Sequence, residues 1–101
     1  MDPNYSRHIL VVDDKPNMRT LLDGALTEHD FEVATASCGE DAISMLEEEE
    51  YGVVITDLSM PGKNGIDVLK AAKAKDPDTE VIIITAYGTI DTAVEAMRLG
   101  A

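Results

Sequence analysis

The chain has 101 residues, which is enough for one domain with a modest hydrophobic core. Its 8 basic and 20 acidic residues give a formal net charge of −12, so phosphate backbones and anionic membrane surfaces would repel it. One cysteine excludes an internal disulfide, and no apolar run is long enough to span a bilayer. We therefore expect a cytoplasmic domain that binds neither nucleic acid nor membrane directly.

The first part of the chain predicts a strand, a helix and a second strand. The apolar run at 9–12 predicts a strand from about His8 to Val12, and Pro16 suits the first turn of the helix that follows. Residues 31–36 form the second predicted strand. Helical spacing places five apolar residues on one stripe of the helix: Met18, Leu21, Leu22, Ala25 and Leu26.

The middle of the chain predicts a second helix and a third strand. Ser37 and Glu40 have the spacing of a capping box, which predicts that the second helix begins there. The apolar run at 53–56 predicts a strand buried on both faces, and it leads directly into Asp57.

The last part of the chain completes a regular alternation of strands and helices. Asn64 and Asp67 are candidate caps of a third helix, residues 80–85 form a fourth predicted strand, and a fourth helix is predicted to begin near Thr89. Strands that alternate with helices of this length pair in parallel through right-handed crossovers. The sequence therefore predicts one α/β domain with a doubly wound parallel sheet.

Parallel pairing would bring four oxygen-bearing side chains to the carboxyl edge of that sheet. Asp13 and Asp14 follow the first strand, Asp57 ends the third, and Thr85 ends the fourth. Three close carboxylates repel one another and favour a cation, and hard oxygen ligands suit Mg²⁺ or Mn²⁺. A carboxylate can also attack phosphorus and form an acyl phosphate. A purely structural role for Asp57, as a cap or hydrogen-bond acceptor, stays open on the residues alone.

Three motifs together resemble the receiver domain of two-component response regulators. They are VVDDKP, VITDLSMPGKNG and VIIITAYG, and they occur in order across residues 8–101. The resemblance implies a CheY-like fold with strand order 2-1-3-4-5. The segment TAYGTIDTAVEAMRLGA is most similar to receivers of NtrC-type, sigma-54-dependent activators.

The resemblance also implies roles for individual residues. Asp57 would accept a phosphoryl group from the phosphohistidine of a sensor histidine kinase, and Thr85 would be the switch hydroxyl. Asp13, Asp14, Asp57 and the backbone carbonyl of Ser59 would hold the metal ion. Such a domain is a regulatory phosphoacceptor with at most weak self-phosphorylation and autodephosphorylation chemistry, so we do not expect an enzyme. Its output, such as transcription activation, would belong to a domain absent from this chain.

The sequence departs from the receiver pattern at its end. Receivers carry a lysine at the end of a fifth strand, followed by a fifth helix, and this chain stops at Ala101 where that strand would begin. Lys15 and Lys63 lie in other loops and do not match that lysine. We therefore expect residues 1–101 to form a receiver domain with strand order 2-1-3-4, incomplete at its C-terminus. The uncovered fourth strand is expected to promote self-association.

Several other functions fit the predicted fold less well. A haloacid-dehalogenase-like phosphatase needs D-x-D-x-T, where this chain reads DDKPN at 13–17. A flavodoxin-like flavin binder needs a Ser/Thr/Gly-rich loop after the first strand, and a P-loop hydrolase needs G-x-x-x-x-G-K-[ST]. An interaction or dimerisation fragment that is receiver-like but not phosphorylated stays open as the alternative.

Overall fold

A computed structural model describes residues 7–84 and 98–101. Within them, parallel strands alternate with helices along the chain, as the sequence predicts. The elements are β1 (His8–Val12), α1 (Pro16–Glu28), β2 (Glu32–Ala36), α2 (Gly39–Glu48), β3 (Val53–Asp57), α3 (Gly65–Lys75) and β4 (Glu80–Ile84).

The four strands form one parallel sheet in the order β2-β1-β3-β4. At the centre of the sheet, Val11 of β1 is in register with Thr35 of β2 and Ile55 of β3. The predicted strand order 2-1-3-4 is confirmed. Because β1 and β3 are neighbours in space but not in sequence, their carboxyl ends lie side by side where the chain order reverses.

The central strands are buried on both faces, because alternate side chains point to opposite sides of the sheet. Leu10 and Val54 are completely buried in the larger cluster, which includes Leu69 of α3. Val11 and Ile55 point to the other side and belong to a smaller cluster beneath α1. The prediction of strands with two buried faces is therefore confirmed for β1 and β3, whereas β4 exposes one of its faces.

Helix α1 covers its side of the sheet less completely than its apolar stripe suggests. Leu22 and Leu26 pack against the smaller cluster, whereas Leu21 is 64% exposed and Ala25 is exposed. Side chains at i, i+4 and i+8 align best along a helix, so the line through Leu22 and Leu26 contacts the sheet and Leu21 lies to one side of it.

The predicted capping box at the start of α2 is wrong. Cys38, not Ser37, is the N-cap residue, and no side chain accepts a cap hydrogen bond there. The Glu40 carboxylate instead accepts a hydrogen bond from the backbone N–H of Lys63, at 3.0 Å. This carboxylate is drawn to a loop that is 23 residues away in sequence, so its local capping role is lost.

The fourth strand has apolar side chains open to solvent. Ile82 is 50% exposed and Ile84 is 36% exposed. Within residues 7–84 and 98–101, no strand pairs with the outer edge of β4. Thr85, which was predicted to end this strand, and the helix predicted to begin near Thr89 lie outside the described residues. No helix in the part of the chain that the structure describes is long and apolar enough to cross a membrane.

Candidate functional site

The carboxyl edge of the sheet brings the three predicted acids together. Asp13 follows β1 and is 5% exposed, and Asp57 ends β3 and is 8% exposed. Asp14, one residue further along its loop, keeps about a third of its side chain in solvent. A carboxylate oxygen from each of the three lies within 4.8 Å of the other two.

This set of oxygens is suited to a hard divalent cation. Carboxylates of this kind are preferred ligands of Mg²⁺, which is held in proteins by a few carboxylates together with water. The arrangement combines two nearly buried carboxylates with one that faces solvent, so an ion could enter from the open side. The structure confirms the prediction that the side chains of Asp13, Asp14 and Asp57 lie close together.

The side chain of Asp57 is oriented by two hydrogen bonds. Its Oδ1 accepts from the backbone N–H of Ser59 at 3.2 Å, and its Oδ2 accepts from Nζ of Lys15 at 3.2 Å. The first contact is local and belongs to the loop after β3. The second comes from the loop after β1, so it joins the two neighbouring strand ends.

Lys15 is the residue of this site that the sequence analysis did not identify. Its Nζ also lies 3.6 Å from Oδ1 of Asp14, and its side chain is 64% exposed. The hydrogen bond to Asp57, reinforced by the charge of that carboxylate, raises the pKa of the Lys15 ammonium above its ordinary value of 10.5. The ammonium is therefore charged at neutral pH. The sequence does contain one indication of this role: Lys15 directly follows Asp13 and Asp14. A lysine at that position can reach the carboxyl ends of both β1 and β3.

The start of α3 packs directly against the backbone of the Asp57 loop. The Gly65 N–H donates to the carbonyl of Leu58 at 2.9 Å. A Cβ atom at Gly65 would lie 2.5 Å from the carbonyl oxygen of Asp57 and 2.8 Å from Cα of Leu58. Only glycine permits this approach, so α3 holds the loop that positions the Asp57 carboxylate.

The predicted caps of α3 are confirmed. The Asn64 side chain accepts from the backbone N–H groups of Ile66 and Asp67, and the Asp67 carboxylate accepts from the Asn64 backbone in return. This capping box satisfies N–H groups at the helix start that would otherwise lack partners. It thereby fixes the end of the loop that begins at Asp57.

An open groove of about 750 Å³ extends from the acids past the N-terminal half of α1 to the end of β4. The three aspartates and Lys15 form one end of it, and its apolar wall includes Met18, Leu21 and Ile84. Two predicted site groups are not tested by this geometry. Thr85 lies outside the described residues. For Ser59 the structure shows a backbone N–H contact with Asp57, which does not test the predicted role of its carbonyl.

A doubly wound parallel sheet with a cluster of acids at the carboxyl ends of its two central strands defines the CheY-like class of α/β domain. Residues 9–101 match the response regulator receiver domain family. The chain therefore belongs to that family, which operates in two-component signalling.

Individual relatives agree with this assignment. The chain is 41% identical over 91 residues to the regulatory protein LuxO of Vibrio cholerae, a match that covers 90% of this chain and 20% of LuxO. It thus spans about a fifth of that relative's length.

Two solved structures are also similar to this chain. The response regulator TrrA of Thermotoga maritima, solved in complex with Mg(2+)-BeF, has a TM-score of 0.82 and 36% identity. That match covers 93% of this chain and 81% of TrrA. The beryllofluoride-activated NtrC4 receiver domain dimer has a TM-score of 0.86 and 34% identity, and the match covers 94% of this chain and 78% of the NtrC4 receiver domain chain. The expected similarity to NtrC-type receivers is confirmed.

Proposed function

We propose that Asp57 is the phosphoacceptor of this receiver domain and takes its phosphoryl group from the phosphohistidine of a sensor histidine kinase. The observation that carries the proposal is the position of the Asp57 carboxylate. It ends a central strand, lies beside Asp13 and Asp14, and lines an open groove through which a donor can approach.

The proposed reaction is a displacement at phosphorus. A carboxylate oxygen of Asp57 forms a bond to phosphorus while the phosphorus–nitrogen bond of the phosphohistidine breaks, and the departing imidazole takes up a proton. The products are an acyl phosphate on Asp57 and a neutral histidine on the kinase. The hydrogen bond from the Ser59 N–H holds one Asp57 oxygen in place. The role of this chain is to orient a carboxylate, so we propose a regulatory domain and not an enzyme.

Mg²⁺ is the cofactor that we propose for this site. Asp13, Asp14, Asp57 and the backbone carbonyl of Ser59 would hold it, in keeping with the three carboxylates that converge here and with the Mg²⁺ of the TrrA complex. A bound Mg²⁺ supplies positive charge that screens the repulsion between carboxylate and phosphoryl oxygens. Mn²⁺ stays a prediction from the sequence.

The consequence of phosphorylation lies beyond the described residues. We propose that the Thr85 hydroxyl is the switch group that responds to the phosphoryl group, and that an output domain, such as a transcription activator, receives the signal. The similarity to LuxO, a regulatory protein five times the matched length, supports an output of that kind. We expect the domain to meet its kinase in the cytoplasm, where a free cysteine such as Cys38 stays reduced.

Substitution of Asp57 by Asn tests the proposal. The amide is nearly isosteric with the carboxylate but is a poor nucleophile, so Asp57→Asn should lose all phosphoryl uptake and keep the fold. The measurement is intact-protein mass spectrometry after incubation with acetyl phosphate and Mg²⁺. Asp30→Asn is the matched control, because it makes the same chemical change at an exposed residue outside the site. Continued labelling of the Asp57→Asn variant would show that another residue is the acceptor.

A second function is supported by the exposed apolar residues of β4. Ile82 and Ile84 could contact a second copy, and the similar NtrC4 receiver was solved as a dimer. We propose the interaction or dimerisation fragment as the alternative. It predicts association without phosphoryl uptake, so wild-type chain that stays unlabelled but associates would favour this alternative.

A further inference from the structure

The ammonium group of Lys15 lies on the carboxylates that a divalent cation would need. Its Nζ is 3.2 Å from Oδ2 of Asp57 and 3.6 Å from Oδ1 of Asp14. These are two of the three acids whose oxygens converge within 4.8 Å of one another. A tethered monovalent cation thus already neutralises part of the acidic cluster.

The backbone of Lys15 is fixed, whereas its side chain is free to leave. Its N–H donates to Oδ1 of Asp13 at 2.8 Å, and its carbonyl accepts from the N–H groups of Met18 and Arg19 at 3.2 Å each. The side chain makes no cap hydrogen bond to the helix, and most of it is exposed. The ammonium can therefore move away from the acids without disturbing the start of α1.

A tethered group competes at a high effective concentration. Because the Lys15 backbone is anchored to Asp13, the ammonium returns to Asp57 and Asp14 as an intramolecular ligand, at an effective concentration typically in the millimolar range. A divalent ion that binds the same oxygens must displace the ammonium or accept a positive charge beside it. Either alternative opposes metal binding.

We propose that Lys15 is a built-in competitor of the divalent cation and that it sets the metal affinity of the unphosphorylated site. The proposal rests on the metal-binding part of the function proposed above. In this scheme, Lys15 stabilises the acidic cluster when metal is absent and swings into solvent when metal binds. Removal of its charge has two effects of opposite sign: the metal-free domain becomes less stable, and the affinity for metal rises.

Isothermal titration calorimetry with Mg²⁺ on the full 101-residue chain tests the proposal. Lys15→Ala should bind Mg²⁺ about threefold to tenfold more tightly than wild type, the range expected when one or two solvent-exposed ion pairs are removed. Lys15→Arg keeps the charge and should stay within about twofold of wild type. Lys63→Ala is the matched control, because it removes one positive charge from an exposed loop residue whose contact is a backbone hydrogen bond to Glu40.

Thermal unfolding provides the second measurement. In a chelator, Lys15→Ala should melt below wild type, and saturating Mg²⁺ should close or reverse that difference. Mg²⁺ binding by Lys15→Ala that is equal to or weaker than that of wild type would overturn the proposal. The proposal would also fail if Lys63→Ala gained as much Mg²⁺ affinity as Lys15→Ala, because the net charge alone would then explain the gain. If wild type and every variant bind no Mg²⁺, the metal-binding part of the proposed function fails as well.

Discussion

At the scale of single residues, the acidic cluster places like charges in a partly buried setting. Asp13 and Asp57 are each more than nine-tenths buried, and Asp14 is beside them. Carboxylates at this spacing repel one another, and burial makes the repulsion stronger than in water. Lys15 offsets part of that cost. A divalent cation would offset more, so metal binding is expected to stabilise the folded domain.

Mg²⁺ should therefore raise the melting temperature of the wild-type chain. By linkage, the gain is about 2.7 kcal/mol when free metal is 100 times its dissociation constant. Asp14→Ala should remove most of this Mg²⁺-dependent rise, measured by differential scanning calorimetry with and without Mg²⁺. Glu47→Ala, an exposed acid on α2, is the control and should keep the full rise. An Asp14→Ala variant with an undiminished rise would place the metal elsewhere.

Tyr51, at the opposite end of the sheet, predicts an alkaline pH dependence. Burial, followed by the negative charge of Glu49, raises the pKa of its hydroxyl from 10 to about 12. Between these pH values the unfolded chain loses the Tyr51 proton while the folded chain keeps it. The free energy of unfolding therefore contains a stabilising contribution that is complete below pH 10 and is lost as the pH rises to about 12.

Urea unfolding across this pH range measures the effect. Wild type should lose roughly 1 to 2 kcal/mol more than Tyr51→Phe as the pH rises, because the phenyl ring keeps the packing and cannot ionise. Absorbance of tyrosinate gives an independent readout, since the variant should lack the titration step of Tyr51 near pH 12. Parallel stability profiles for the two proteins would contradict the assignment.

At the scale of elements, the sequence predicts well what depends on neighbours in the chain. The apolar runs of β1 and β3 and the Asn64 capping box of α3 depend on residues a few positions apart, and all are confirmed. Contacts between distant segments were not predictable. The Glu40 carboxylate accepts a hydrogen bond from the Lys63 backbone and does not cap its own helix. The Lys15 ammonium donates to Asp57, which is 42 residues away in sequence. The partners of these side chains depend on which loops the sheet places next to each other, and the local sequence does not specify that.

The close packing of α3 on the Asp57 loop gives an element-scale prediction. Gly65→Ala should destabilise the domain by roughly 1 to 3 kcal/mol, because the new methyl group overlaps the backbone of Asp57 and Leu58. Gly24→Ala is a control of opposite sign. A Cβ there meets nothing within 4 Å, and Ala favours a helix interior over Gly by about 0.5–1 kcal/mol.

Chemical denaturation of both glycine variants measures these changes. Phosphoryl uptake from acetyl phosphate should also fall in Gly65→Ala, because the loop that positions the Asp57 carboxylate must shift, whereas Gly24→Ala should be labelled like wild type. A Gly65→Ala variant as stable as wild type would mean that α3 can move away from the loop at no cost. The contact would then have no role in positioning Asp57.

At the scale of the whole molecule, apolar exposure and net charge act in opposite directions. Leu21, Ile82 and Ile84 leave large apolar side chains in water on the described surface, and such surfaces favour association. The formal net charge of −12 makes two copies repel each other. Added salt screens this repulsion, with a Debye length of about 10 Å at 0.1 M, and leaves the apolar attraction in place.

We therefore predict that the 101-residue chain self-associates through β4, and more strongly as salt is added. Light scattering over a dilution series should show a dimer or larger assembly at high micromolar concentration. Ile82→Thr keeps a β-branched side chain in the strand but reduces the apolar surface, so it should shift the equilibrium toward monomer. Asp30→Asn, remote from β4, should behave like wild type. A monodisperse wild-type monomer at high micromolar concentration and high salt would show that the chain covers its own edge, and that the exposed isoleucines do not attract a second copy.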